Sequence, residues 1–454
     1  MSTIAAISTP NAVGGIAVIR ISGPDALTVA ERVFTPANGK PVSAMAGYTC
    51  AYGTVRDQAG NPLDDVVLTV FRAPHSYTGE DTAELSCHGG LFLSRQVLRL
   101  CFAAGAEPAG PGEFTKRAFL AGKLSLTQAE SVMDLISARG DAELRCARSL
   151  REGAVFRRIH ACTDRLVELL SDLAAWADYP EEDIPSVEPE NLCASLTGLH
   201  AELSAVAATY DYGRILREGI NTVIVGRPNV GKSTLMNRLS GFERSIVTDV
   251  AGTTRDVVEE SVRLGDLTLR LSDTAGLRDT ADRVEQIGVE IAYRRLEDAE
   301  LVLAVFDSTS PLQPQDQELI NRIGNRRAVA VCNKSDVGAL LDMQELDRHF
   351  DYVIPLSAKT GEGMDKLSAA LHALFLADAP DPQAGVLSNE RQKHCVMAAL
   401  EQLSAAISAV RAGESLDCVT VLLEDGANVL LELTGERATE AVVEQVFARF
   451  CVGK

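Results

Sequence analysis

The sequence has no Cys-x-x-Cys pair. Its ten cysteines stand apart at positions 50, 87, 101, 146, 162, 193, 332, 395, 418 and 451, which argues against a disulfide scaffold or a zinc ribbon and predicts that most are small buried hydrophobes. No apolar run approaches the roughly 18 to 20 residues needed to cross a bilayer. The stretch Met1 to Ile19 carries no basic side chain before Arg20, so a secretory leader is not expected and a cytoplasmic protein is. Proline-rich, serine-rich and other low-complexity tracts are absent, which removes disordered and fibrous classes. Positive charge is in deficit: 43 Lys and Arg against 63 Asp and Glu leave a net charge of −20. So acidic a molecule repels phosphate backbones and anionic membranes as a whole, and any RNA contact must use a local patch or a partner.

What is present is a chain of 454 residues with 46% hydrophobic side chains, enough for roughly three domains of ordinary size, each with its own core. Residues 1 to about 120 mix short apolar runs, such as Gly15 to Ile21 and Val66 to Phe71, with Gly and Pro punctuation, the texture of a small α/β or α+β domain. Past Lys123 the period changes. Thr127-Gln-Ala-Glu130 is read as a capping box, and Ile159, Cys162, Leu166, Leu169, Leu170 and Leu173 recur at helical spacing. Helix is expected from about 127 to 215, broken by the acidic segment Tyr179 to Pro189. From Ile220, strand-like runs (Thr222–Val225, Leu267–Leu271, Leu301–Phe306, Ala328–Cys332, Tyr352–Leu356) alternate with amphipathic segments, the rhythm of a mostly parallel sheet with crossover helices. Helical texture returns after Ala379-Pro-Asp-Pro382 and runs from Asn389 to Phe450. The expected fold is therefore multidomain, α/β and all-α, with an α/β unit inserted into a helical domain.

Gly226-Arg-Pro-Asn-Val-Gly-Lys-Ser233 fits G-x-x-x-x-G-K-[ST] between a strand-like run and a helix-forming one. Backbone N–H groups from Asn229, Val230, Gly231, Lys232, Ser233 and Thr234 would cradle phosphates, Lys232 would reach the β- and γ-phosphates, and Ser233 would hold Mg²⁺. Asp273, Thr274, Ala275 and Gly276 follow the Leu267–Leu271 run and would bring a carboxylate near the metal and an amide near the γ-phosphate. Asn333, Lys334 and Asp336 follow the Ala328–Cys332 run, and Ser357, Ala358 and Lys359 follow Tyr352–Leu356. Each element lies at the carboxyl end of a strand, where open α/β sheets bind ligands. Guanine specificity follows from Asp336, an acceptor-only group that takes both N1–H and the 2-amino group of guanine, neither of which adenine offers.

Leu277 stands where Ras-type enzymes place a water-orienting Gln, so another group must position water. Asn229 and the loop Thr248-Asp-Val-Ala-Gly-Thr-Thr-Arg-Asp256 bring amide and carbonyl oxygens that suit either a monovalent cation or a loop-stabilising hydrogen-bond network. Cys451 beside Phe450 is either a nucleophile or packing, and Lys454 reads on its own as a frayed terminus. Cys87 and His88 are adjacent on a strand-like run and point to opposite faces, so they are poorly placed to act as a pair.

Taken together, Gly252-Thr-Thr-Arg-Asp256, Pro111-Gly-Glu-Phe114, Thr78-Gly-Glu-Asp81, Cys87-His-Gly-Gly90 and the terminal Phe450-Cys-Val-Gly-Lys454 resemble the MnmE (TrmE) family of tRNA modification GTPases over essentially the whole chain. Val452 departs from the Ile common in that family. The resemblance implies a tetrahydrofolate-binding-like α/β domain over 1–121, a helical domain in two parts over 122–216 and 379–454, and a Ras-like P-loop G domain over 217–378. It also implies a homodimer acting with the FAD-dependent protein MnmG on the wobble uridine, position 34, of certain tRNAs. A reduced folate, 5-formyl- or methylene-tetrahydrofolate, would be the one-carbon donor for a carboxymethylaminomethyl-type group at C5. Carried over by motif, Arg20, Glu84, Lys123 and Lys454 match folate-contacting positions. Asn229, Thr248, Val250 and Thr253 match a K⁺ site, and Ser233 and Thr254 match a Mg²⁺ site, with Thr248, Thr253 and Thr254 also at the nucleotide. Glu285, on residues alone a charged group on an exposed helix face, matches the glutamate that orients water, with Lys232 and Cys451 as further catalytic candidates. The competing reading is a ribosome-assembly or signalling switch GTPase, which more often carries a basic tail after its G domain; here an acid-rich helical segment ends in Cys-Val-Gly-Lys.

Overall fold

The computed structural model describes residues 1–178, 188–242, 260–271, 296–377, 379–381, 383 and 385–454. Contacts divide the chain into two compact units, one of Met1–Met133, Leu150–Leu203 and His394–Lys454, the other of Asp134–Ser149 and Ser204–Lys393.

In the first unit seven strands form one sheet: β1 (Ile4–Ile7), β2 (Ile16–Ser22), β3 (Phe34–Pro36), β4 (Thr49–Arg56), β5 (Pro62–Phe71), β6 (Thr82–His88) and β7 (Glu107–Pro108), in the order β3-β4-β5-β6-β2-β1-β7. All pairings are antiparallel except β1 with β7. Period-two alternation sends Ile19, Ile21, Leu68, Val70, Ala83 and Leu85 into the core beneath helices Ala26–Val33 and Leu91–Ala103. It leaves Arg20 and Glu84, in register across β2 and β6, on the other face. The same alternation buries Cys87 and exposes His88, whose Nδ1 lies 2.7 Å from Asp64 Oδ1.

Helices complete this unit. Ala154–Asp178 packs on Leu416–Thr434 and buries Ile159, Cys162, Leu166 and Leu173 of the stripe expected from spacing, with Val155 added, while Leu169 and Leu170 are half-buried. The capping box is displaced from its expected place. Ser125 N–H donates to Gln128 Oε1 (2.9 Å) and Gln128 N–H to Ser125 Oγ (3.2 Å), while Thr127 is buried inside the first turn. The helix begins at Leu126, so the residue before it is the cap and Gln128 is the third helical position. A second correction concerns hydropathy. Helix Glu390–Ala412 is the one described helix long and apolar enough to cross a bilayer, with mean hydropathy 1.3 over 18 residues; it buries Cys395, Val396, Ala399, Leu403 and Ala406 in the protein.

In the second unit β8 (Ile220–Val225), β9 (Glu260–Leu264), β10 (Leu267–Leu271), β11 (Leu301–Asp307), β12 (Ala328–Asn333) and β13 (Tyr352–Pro355) lie in the order β13-β12-β11-β8-β10-β9. All are parallel except β9, which pairs antiparallel with β10 at the edge. β11 and β12 are covered on both faces, by one cluster containing Leu235, Leu239, Leu367 and Leu371 and by another containing Leu319, Ile320, Ile323 and Phe350. Burial on two faces explains why these strands read as uninterrupted apolar runs and not as alternations. The chain is thus a mixed α/β protein with an N-terminal sheet domain, a helical domain and a P-loop GTPase fold.

Candidate functional site

The phosphate loop connects β8 to helix Lys232–Phe242. Gly226 (φ 156°) and Gly231 (φ 96°) could not be replaced, because a Cβ would lie 2.4 Å from Val305 O in one case and 2.2 Å from Asn333 Nδ2 in the other. Asn229 adopts a left-handed φ of 63°. Lys232 Nζ donates to the carbonyls of Gly226 and Arg227, each at 2.9 Å, which holds the ammonium across the loop it serves.

Three loops converge through Asn333. Its Nδ2 donates to Val230 O of the phosphate loop (2.8 Å) and its Oδ1 accepts from Ala358 N–H (2.9 Å), all three residues buried. Lys334, also left-handed at φ 65°, extends Nζ to Asn229 O (2.8 Å) and to Asp307 Oδ2 (2.6 Å). Asp307 closes β11 in register with Asn333 on β12. Burial would raise its pKa, but the Lys334 ammonium and the Thr309 donors outweigh that and hold it below the usual carboxylate range. Asp336 is exposed two residues past Lys334, and Ser357 is buried with Oγ accepting from Thr360 N–H (3.2 Å). Ser233 and Thr234 are exposed on the first turn of the helix. Thr248, Val250, Thr253, Thr254, Asp273, Thr274, Ala275, Gly276, Leu277 and Glu285 lie outside the described residues.

Two participants escaped the motif reading. Asp307 carries a signal only in hindsight, as an acid ending the strand that pairs with the Asn333 strand. Arg238 carries none: it projects from the phosphate-loop helix and donates Nε to Ala358 O (3.0 Å) and Nη2 to Lys359 O, fixing the loop that would frame the base. Removing two hydrogen bonds of about 0.5–1.5 kcal/mol each should raise the dissociation constant for GDP about tenfold in Arg238→Ala, read by fluorescent-nucleotide titration. An unchanged constant would mean that the base loop keeps its place without Arg238.

A second cluster forms in the other unit. Arg20 Nε donates to Glu84 Oε1 at 2.7 Å, and the Arg20 guanidinium lies 5.7 Å from the Tyr77 ring and 5.6 Å from the Phe114 ring. Lys123 Nζ donates to Pro74 O (2.8 Å) and to Ser76 O, the residue before Tyr77. The C-terminal tail docks here: Phe114 N–H donates to Lys454 O (3.1 Å), Ser8 Oγ to Gly453 O (3.1 Å), and Pro111 bridges Val452. Lys454 is therefore tied down by its main chain, not frayed. Cys451 is exposed while Phe450 packs with Phe447 (5.1 Å), so the packing role belongs to Phe450 alone. The burial expected for most cysteines holds for Cys87, Cys101, Cys162, Cys332 and Cys395, whereas Cys50 and Cys418 are also exposed. Burial pushes the Cys101 thiol up to about 12 and Cys87 up to about 11, so both are inert at neutral pH.

The acidic residues of two motifs share one buried partner. Arg117, 5% exposed, pairs with Glu80 of Thr78-Gly-Glu-Asp81 (3.1 Å) and with Glu113 of Pro111-Gly-Glu-Phe114 (2.7 Å). Glu80 also accepts from Ser22 Oγ (2.8 Å) and Glu113 from Gly110 N–H (2.7 Å). A buried guanidinium satisfied on two sides braces the segments that carry Tyr77 and Phe114. Lys123 further borders a cavity of about 840 Å³ lined by Lys116, Phe119, Gln128, Phe156, His160 and Glu436 among others; Arg20, Glu84 and Lys454 do not line it.

Two family models and full-length relatives match this chain. The family model described as "GTP-binding protein TrmE N-terminus" matches residues 3–123, and that described as "MnmE helical domain" matches residues 126–451. Curated proteins named "tRNA modification GTPase MnmE" align along the full chain. Those from Symbiobacterium thermophilum (42% identical) and Acetivibrio thermocellus (37%) each cover 100% of this chain and 99% of the relative. That from Lacticaseibacillus paracasei (40%) covers 100% and 98%. With a phosphate loop, a guanine-type Asn-Lys-x-Asp loop on a doubly wound sheet, and full-length relatives of this identity, the chain is a GTP hydrolase and belongs to the MnmE family.

Proposed function

We propose that the chain is a cytoplasmic, potassium-activated GTPase whose hydrolysis drives modification of the wobble uridine, position 34, of certain tRNAs. The modification adds a carboxymethylaminomethyl-type group at C5, together with the FAD-dependent partner MnmG and a reduced folate. The full-length relatives named as tRNA modification GTPases support the tRNA role, and the domains proposed for it are a folate domain (1–121), a two-part helical domain (122–216 and 379–454) and a G domain (217–378). The observation that carries the reading is the docking of the Cys451–Lys454 tail beside the Arg20–Glu84 pair. Residues from the two ends of the chain meet at Phe114, whose ring lies against the Arg20 guanidinium and whose N–H donates to Lys454 O, with Glu84 and Tyr77 also on Arg20; a carboxylate accepts from the amino group and ring N–H of a pterin while basic groups meet carboxylates of a glutamyl tail.

For the nucleotide, Ser233 with Thr254 would hold Mg²⁺, and the exposed side chain of Asn229 is placed to offer an amide oxygen to K⁺, with Thr248, Val250 and Thr253 as the other proposed donors. When bound, the monovalent ion would supply fixed positive charge to meet the negative charge that develops during phosphoryl transfer. Lys232 orients the same phosphates, and Glu285 takes the role of orienting water. Exposed Tyr52, Val67 and Ile16 on the open face of the N-terminal sheet support pairing of two copies through that domain.

Deleting Cys451–Lys454 should abolish both stoichiometric folate binding by calorimetry and tRNA modification, while GTP turnover stays within about twofold of wild type, because among the described residues the tail's main-chain bonds run to Ser8, Pro111, Gly112 and Phe114 of the N-terminal domain. Equal loss of both activities would sink the separation.

A further inference from the structure

The acidic excess of the chain is unevenly spread, since residues 1–121 carry nine Lys and Arg against ten Asp and Glu. Within that stretch Arg20, Arg72 and Arg117 are paired with carboxylates. Arg95 and Arg99 have no carboxylate partner among the described residues. Both lie on helix Leu91–Ala103, LFLSRQVLRLCFA, which contains no Asp or Glu. The helix turns Ser94, Val97 and Cys101 to the core and exposes Phe92, Arg95 and Arg99, a spacing of i, i+3 and i+7 that makes one solvent stripe. Phe92 is 75% exposed. Arg95 spends one donor on Asn11 Oδ1 at 3.3 Å. Arg32, from the preceding helix, reaches the far end of the stripe through its bond to Ala104 O at 2.7 Å, adding a third guanidinium.

We propose that this stripe is a contact surface for single-stranded loop RNA, with a nucleobase stacked on Phe92 and phosphates on Arg95 and Arg99. The proposal rests on the tRNA reading above and locates the patch that so acidic a chain needs. Burying a phenylalanine is worth about 1.5–3 kcal/mol, so a partner that covers Phe92 gains most if it also brings negative charge to two guanidiniums that have no carboxylate partner among the described residues. Loop RNA offers both, because unstacked bases lie on aromatic faces while phosphates accept from arginine. An anionic bilayer fits worse, since interfacial helices present a broad apolar face and this one shows a single large apolar side chain.

The test is fluorescence anisotropy with a labelled tRNA anticodon stem-loop on the full chain, repeated from low to high salt. Phe92→Ala should weaken binding about 5- to 100-fold, the range for losing one base stack. Arg95→Ala/Arg99→Ala should flatten the slope of log affinity against log salt by about 1.4, the value for two phosphate contacts on a single strand, and Arg95→Lys/Arg99→Lys should restore most of that slope. GTP turnover and thermal midpoint should match wild type in all three. Wild-type affinity and slope in the alanine variants would overturn the patch and leave the tRNA reading standing, as would binding to phosphatidylglycerol vesicles in preference to the stem-loop. A wild-type chain that neither binds the stem-loop nor modifies tRNA with its flavin partner would overturn both.

Discussion

Asp336→Asn is expected to turn a GTP enzyme into one that prefers xanthosine triphosphate. The aspartate is exposed on a loop that the structure holds from two sides: Asn333 ties it to Val230 and Ala358, and Lys334 ties it to Asn229 and Asp307. None of those bonds uses the Asp336 side chain, so the substitution changes what the loop accepts without moving the loop. An amide donates to the C2 carbonyl of xanthine where the carboxylate accepted from the 2-amino group of guanine. Sites built to pair a substrate N–H reject analogues lacking it by about 10⁴ to 10⁵, and a swing of about 10³ or more in the ratio of kcat/KM values for the two nucleotides is expected. Undiminished GTP preference in direct competition would refute the base-reading role.

Turnover in potassium is expected to exceed that in sodium by about 10- to 1000-fold at equal ionic strength. In related chemistry the positive charge brought by an activating arginine is worth about 10³ to 10⁵, and this chain has Leu277 where a water-orienting Gln would stand. Asn229 is the one proposed donor among the described residues: its left-handed backbone is fixed by Lys334 on its carbonyl, and its side chain is exposed. Sodium, being smaller, would require the donor oxygens to draw inward. Asn229→Ala should remove the difference between the salts, whereas Glu285→Ala should slow hydrolysis and preserve it. Equal wild-type rates in the two salts would reject the cation role.

Much of the fold was legible because the G-domain sheet is parallel and covered on both faces, so β8, β10, β11, β12 and β13 appear as apolar runs bounded by motif loops. The edge strand β9, ESVRL, has polar and charged positions and went unread. The N-terminal domain was recognisable in class but not in topology, since the β1–β7 pairing joins residues about a hundred positions apart. Phosphate-loop chemistry was legible because its geometry depends on glycine and lysine at fixed offsets. Arg117, Arg238 and Asp307 were not, because each acts through partners set by tertiary packing: Arg117 meets Glu80 across 37 positions and Arg238 meets the base loop across 120. The capping box slipped because two overlapping S/T-x-x-E/Q patterns begin at Ser125 and Thr127, and only the helix start decides between them. Helix Glu390–Ala412 is long and apolar enough to cross a bilayer because three of its charged residues, Glu390, Arg391 and Lys393, stand together at its start and leave an apolar stretch behind them.

We propose that GTP hydrolysis by this chain drives a folate-dependent change at the wobble uridine. The most direct test is nucleoside mass analysis of tRNA after incubation with the purified chain, its flavin partner, a reduced folate and either GTP or a non-hydrolysable analogue, in potassium. The account predicts a mass shift at position 34 with GTP and none with the analogue or without folate. The same shift with the analogue, or unmodified tRNA while GTP is turned over in the complete mixture, would contradict it.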